Sequence, residues 1–211
     1  MRQIAQGLDY LRDMVRGWMN NIARRLDTWS NGKLHPDVIT YIGFLMHVPV
    51  ALLIAVGSFT WAATLLVIFG LFDALDGALA RVQKRDSASG MLLDASTDRF
   101  KEVFLYIGAA YVLVQTGEPI GAVWAVAACG ASICISYVKA KGETAVASSS
   151  SVSSAEVNSL FKDGFLRFEV RMFLLVIGLL SGQLLPMLAI ITILATITAF
   201  DRLFTIQKKV R

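Results

Sequence analysis

All 20 lysines and arginines of this 211-residue chain fall within four segments, 1–36, 81–101, 139–171 and 202–211. Predominantly apolar stretches alternate with them, at approximately 37–57, 60–81, 89–116, 119–140, 166–183 and 185–206. About 30 Å of hydrocarbon takes roughly 20 helical residues to cross, so these lengths predict an all-α bundle of six transmembrane helices. The connections Gly57 to Thr60, Gly117 to Pro119 and Ser181 to Pro186 are short and marked by Gly or Pro as turns. Their only charge is Glu118. By the positive-inside rule, both termini and the long connections face the cytoplasm. The expected setting is the cell (inner, cytoplasmic) membrane, crossed several times. A hydrophobic content of 55% with 17% charged residues fits one membrane domain. The net charge of +4 is spread over four membrane-proximal segments. It therefore attracts anionic headgroups and phosphorylated substrates, and it argues against nucleic acid as a partner.

Residues 1–30 follow another pattern. Ile4, Leu8, Leu11, Met14, Val15, Trp18, Met19, Ile22 and Leu26 recur at helical spacing, with Arg12, Arg16, Arg24 and Arg25 between them. This predicts an amphipathic helix over 1–30 lying in the cytoplasmic interface, with Trp18 and Trp29 at headgroup depth. The six-span domain then occupies 31–211. The N-terminus is too charged for a cleavable signal peptide, so the first span is expected to direct insertion. Cys129 and Cys134, five apart in one span, suit neither a disulfide nor a metal site and are expected to be buried thiols. His35 is read as an interfacial residue without a role and His47 as a satisfied core group. Residues 143–160, with the run Ser148 to Ser151, are expected to form a flexible loop.

The chemistry concentrates in Asp73-x2-Asp76-Gly77-x2-Ala80-Arg81-x8-Gly90-x3-Asp94-x3-Asp98. It begins inside an apolar span, where a carboxylate costs about 2.5–3.5 kcal/mol and marks a functional site by default. Spacings of three and four put Asp73 with Asp76, and Asp94 with Asp98, on shared helix faces. Two helices carrying two carboxylates each can build an all-oxygen cage for a hard divalent cation. No His–Cys cluster favours zinc. Just upstream, Pro36 suits a first helical turn, and Asp37 places negative charge at its positive end.

The spaced residues resemble, at every defined position, the signature of the CDP-alcohol phosphatidyltransferase family. The resemblance implies an integral membrane enzyme that moves a phosphatidyl or archaetidyl group from a CDP-lipid to an alcohol, releasing CMP. Asp73, Asp76 and Asp94 resemble the metal ligands, and Asp98 both a ligand and the base that accepts the acceptor's proton. Mg²⁺ or Mn²⁺, two ions in all, is the implied cofactor. Asp37, Val38, Ile39 and Thr40 resemble the patch that holds the cytidine end of the donor. Gly77, Arg81 and Ser87 stand where relatives contact the nucleotide and phosphates. Gly77 does so because no Cβ intervenes. The donor is expected to be CDP-diacylglycerol or CDP-archaeol, and a homodimer is implied by the family alone.

Ser136-Tyr137-Val138-Lys139-Ala140-Lys141-Gly142-Glu143 resembles a segment of prokaryotic phosphatidylinositol phosphate synthases, with Lys141 in place of an Arg. Asp163-Gly164, Arg171 and Arg202 resemble further parts of that subfamily, while Arg167 and Val170 depart from it. Lys139, Lys141, Arg171 and Arg202 are thus expected to bind an acceptor phosphate. Inositol phosphate is the first expectation for this phosphorylated polyol and glycerol 3-phosphate the second. A transporter with an acidic ion site is the alternative of a different class. It predicts acids at mid-membrane and charge on both faces.

Overall fold

The computed structural model describes residues 2–147 and 166–210, with side-chain surroundings over 14–146 and 166–208. Among the described residues every regular element is a helix. They are α1 (Arg2–Ser30), α2 (Pro36–Ala55), α3 (Phe59–Gln83), α4 (Ala88–Gln115), α5 (Pro119–Ala147), α6 (Phe168–Ser181) and α7 (Leu184–Val210). Four of these, α2, α3, α5 and α7, are long and apolar enough to cross a membrane. The other two expected spans are helices of a different kind. α4 has the length, at 28 residues, but its N-terminal part holds Asp94, Asp98, Arg99, Lys101 and Glu102. α6 has only 14 residues, about 21 Å at 1.5 Å per residue.

α5 also runs past its expected end. Lys139 and Glu143 sit one helical turn apart, 3.8 Å from Nζ to Oε1, and such pairs support an exposed helix. Residues 143–147 of the expected loop are therefore helical. Ser148 to Ser151, like Asp163 and Gly164, lie outside the described residues.

Contacts divide the chain into two units, residues 1–50 with 64–101 and residues 51–63 with 102–211. In the first, Met19 and Ala23, one turn apart on α1, pack with Ile39 of α2 and Ala78 and Leu79 of α3. Trp18 and Trp29 remain 68% and 82% exposed. α1 stops at the left-handed pair Asn31 and Gly32, where the Gly32 N–H donates to Asp27 O at 2.9 Å. The Gln83 amide, at the end of α3, donates to Asp27 Oδ1 at 2.8 Å and to Leu34 O at 3.0 Å. It thereby pins the link between α1 and α2. Pro36 opens α2, where its missing N–H costs nothing. His47 is buried with Nδ1 2.7 Å from Gly43 O, the satisfied core group its sequence position suggests. At the start of α4 the Ser87 hydroxyl accepts the Gly90 N–H at 3.0 Å, a cap that typically contributes about 1 kcal/mol.

The second unit contains three very short connections, residues 56–58, 116–118 and 182–183. Each carries a glycine in the left-handed region, Gly57, Gly117 and Gly182, a conformation that any Cβ disfavours. Ile135 of α5, Leu166, and Ala195 and Ala199 of α7 form a buried cluster. Tyr106 of α4 lies 3.4 Å from Ser132 of α5 between hydroxyl oxygens. The cysteines depart from expectation. Both are free thiols, but Cys134 is exposed and Cys129 only partly covered. Five residues on a helix turn about 140° apart, and an apolar span presents part of its surface to lipid instead of to protein. The same holds for Leu52, Val67, Val126 and Ile197, all more than half exposed.

Candidate active site

Three helices of the first unit converge on the carboxylates. Thr40, one turn into α2, donates its hydroxyl to Asp76 Oδ2 at 2.6 Å. The Asp76 Oδ1 accepts the N–H of Gly77 at 2.5 Å. Both partners of the side-chain bond are buried, Thr40 at 5% and Asp76 at 6% exposed, where a carboxylate hydrogen bond outweighs one in water. A turn earlier on α3, Asp73 Oδ1 accepts a hydrogen bond from Lys101 Nζ at 2.5 Å. The same ammonium donates to Asp98 Oδ1 at 3.1 Å. Arg99 Nη2 stands 3.5 Å from Asp98 Oδ2.

A cavity of about 470 Å³ opens at these residues. Asp73, Asp76 and Asp94 line it together with Asp37, Thr40, Gly77, Arg81 and Ser87. Of the residues assigned to metal or donor, Val38, Ile39 and Asp98 are not on its wall. Ile39 is buried in the core and Val38 is exposed, so the backbone patch is represented here by Asp37 and Thr40. A Cβ on Gly77 would stand 3.4 Å from Arg81 Nη1, which places the guanidinium over the bare glycine. His35 Nδ1 lies 3.4 Å from Asp37 Oδ2, and His35 is not on the cavity wall. Arg85 and Asp86, which no sequence motif singles out, also line the cavity. No spacing rule marks them, because they sit in the link between α3 and α4.

A hard divalent cation takes oxygen ligands, and the donors here are all oxygen. As the side chains lie, no group of three or more His, Cys, Asp or Glu among the described residues stands in ligating geometry. The partners explain why. Thr40 and Gly77 hold Asp76, and Lys101 draws Asp73 toward Asp98. The donor chemistry fits a divalent ion.

The four cations assigned to an acceptor phosphate lie in the second unit and do not share one environment. Lys139 reaches toward Glu143. Lys141 lines a groove of about 410 Å³ with Tyr137 and Val138 of α5 and Leu203 and Ile206 of α7. Arg202 has a buried Nε with no hydrogen-bond partner. The expectation for Arg171 needs correction. Its side chain is 1% exposed and bound to Glu102 at 2.9 Å from Nε and 2.6 Å from Nη2. Nη1 donates to Leu166 O at 3.0 Å. A carboxylate buried on α4 demands this counter-charge, so the guanidinium faces a protein anion.

A family model for CDP-alcohol phosphatidyltransferases matches residues 33–202. The chain is 35% identical over 135 residues to a phosphatidylinositol phosphate synthase of Cutibacterium acnes, covering 61% of this chain and 63% of that protein. It is 32% identical over 137 residues to an archaetidylinositol phosphate synthase of Methanothermobacter thermautotrophicus, covering 65% of each. These matches therefore span less than two thirds of the relatives' own lengths. Among solved structures, the phosphatidylinositol phosphate synthase of Mycobacterium tuberculosis with CDP-DAG bound superposes with a TM-score of 0.74 at 25% identity, over 89% of this chain and 92% of that one. The same enzyme in complex with manganese and citrate gives 0.75 at 25% identity, over 90% and 88%.

Proposed function

The chain belongs to the CDP-alcohol phosphatidyltransferase family, and we propose that it transfers a phosphatidyl or archaetidyl group from a CDP-lipid to inositol phosphate, releasing CMP. The observation that carries this reading is the cavity that gathers Asp37, Thr40, Asp73, Asp76, Arg81 and Asp94. A CDP-lipid presents a cytidine, a pyrophosphate and two apolar tails. Arg81 meets the phosphates through charge-assisted hydrogen bonds, Gly77 lets the nucleotide approach the backbone, and Asp37 and Thr40 bound the cytidine end. Asp73, Asp76, Asp94 and Asp98 would hold two Mg²⁺ or Mn²⁺ ions. Bound there, the metal supplies charge that neutralises the pyrophosphate as its P–O bond breaks. The acceptor oxygen bonds to the lipid-side phosphorus, the phosphorus–oxygen bond to CMP breaks, and Asp98 takes the hydroxyl proton. The relatives and neighbours named as inositol phosphate synthases support the acceptor.

The chain crosses the cell membrane six times, with α4 and α6 as the charged or short spans, and the distribution of lysine and arginine supports both termini and the active site on the cytoplasmic side. α1 lies in that interface with Trp18 and Trp29 outward, and the enzyme acts as a homodimer. The test is CMP release by purified protein with CDP-diacylglycerol or CDP-archaeol. Inositol phosphate, glycerol 3-phosphate, free inositol and serine would be compared as acceptors. Inositol phosphate should be used best. Selective use of glycerol 3-phosphate would replace the acceptor and keep the reaction, and no CMP release with any of the four would overturn the assignment.

A further inference from the structure

Lys101 is the one fully buried lysine among the described residues. An ammonium taken out of water costs several kcal/mol unless anions surround it. Its side chain leaves α4 one turn beyond Asp98 and crosses to Asp73 on α3, 28 positions earlier in the chain. One nitrogen thus joins oxygens of two helices, 2.5 Å from Asp73 and 3.1 Å from Asp98. This is the bridging work that a divalent ion does between the same carboxylates. We infer that Lys101 is a resident counter-ion of the carboxylate cluster, which stabilises the metal-free site and lowers its affinity for the divalent cation. Two effects act in the same direction. Without metal the ammonium relieves repulsion among the carboxylates, and with metal a fixed positive charge sits beside a dication. The site would then fill only at metal concentrations high enough to overcome its own lysine.

The inference rests on the metal-binding reading of Asp73, Asp76, Asp94 and Asp98. Its test reads metal binding and unfolding, not turnover. Mn²⁺ binding to the purified full chain is measured by equilibrium dialysis, and thermal unfolding is followed in chelator and in Mn²⁺. Lys101→Met should bind Mn²⁺ roughly 10- to 100-fold more tightly, the size expected for one or two charge-assisted hydrogen bonds. It should melt lower than the unmutated protein in chelator and gain more on adding Mn²⁺. Lys101→Arg, which keeps the charge, should return both readings toward the unmutated values. Unchanged or weaker Mn²⁺ binding by folded Lys101→Met would overturn the inference. Should Lys101→Met and Lys101→Gln accumulate folded only with Mn²⁺, the inference gains. Should both unfold with or without Mn²⁺, the lysine serves the fold alone and the inference fails. If the unmutated protein binds no Mn²⁺ at all, it is the metal reading that falls.

Discussion

Glu102 and Arg171 face each other through two hydrogen bonds of 2.6 and 2.9 Å, each side chain 1% exposed. Removing one partner of such a pair typically costs about 3–5 kcal/mol, because the other charge stays buried alone. Arg171→Ala should therefore lower the unfolding temperature markedly and reduce activity on every acceptor alike. Replacing both partners, Glu102→Leu with Arg171→Met, should recover much of the stability. A normal unfolding temperature for Arg171→Ala, with loss confined to phosphorylated acceptors, would return the guanidinium to a phosphate-binding role.

Of the four cations assigned to an acceptor phosphate, Arg202 has a buried Nε without a hydrogen-bond partner. If it reads the acceptor phosphate, Arg202→Ala loses a charge-assisted bond of about 1.5–3 kcal/mol, or roughly 10- to 150-fold in kcat/KM for inositol phosphate. Binding of the CDP-lipid should change little. Titration of both substrates against both proteins separates the two effects.

Chelation should abolish CMP release, and Mg²⁺ or Mn²⁺ should restore it. Asp98→Asn should lower turnover by about 10²–10⁴, the usual worth of a positioned base, while the protein still folds. Near-normal turnover in that variant rules Asp98 out as proton acceptor.

Thr40 fixes one oxygen of Asp76 at 2.6 Å. Thr40→Val keeps the shape and removes the hydroxyl, so the metal concentration for half-maximal activity should rise about tenfold or more. Thr40→Ser should stay close to the unmutated enzyme. Equal metal dependence in all three would leave the hydroxyl a purely structural role.

Topology is testable by labelling from outside the cell in a background with Cys129 and Cys134 replaced. A cysteine at Glu118 should react with a membrane-impermeant reagent, and one at Lys84 should not. In the unmutated protein, Cys134 is exposed on the protein surface but should stay unreactive toward such a reagent, shielded by lipid. The reverse pattern at positions 118 and 84 would invert the proposed orientation.

The carboxylates are legible in the sequence because helical spacing alone sets which face Asp73, Asp76, Asp94 and Asp98 share. Their distance from one another is not, since it depends on how α3 meets α4. For the same reason Lys101 is easy to pass over. It stands three residues after Asp98, a spacing that could have flagged it, yet its bond to Asp73 joins positions far apart in sequence. Arg171 misled for a related reason. It is assigned to the acceptor phosphate by resemblance to the subfamily, and only the structure reveals the buried Glu102 that claims it. Charge in α4 and the shortness of α6 explain why length and hydropathy recognise four spans. The far end of α5 is missed because its exposed residues form good helix without any apolar run.

The bond from Gln83 to Asp27 also sets a timetable. It joins residues 56 positions apart, and Ala78 and Leu79, on which Met19 and Ala23 rest, come just before Gln83. A ribosome adding about 5–20 residues per second takes roughly 3–11 s to get from one end of that bond to the other. Toward the end of this interval α1 emerges from the ribosome with its apolar stripe uncovered and its eventual seat unmade. The nascent chain needs a temporary berth for it, and the membrane surface is the nearest one. Docking of the first helix is then a late step in assembly, although it is the first part of the protein to be made.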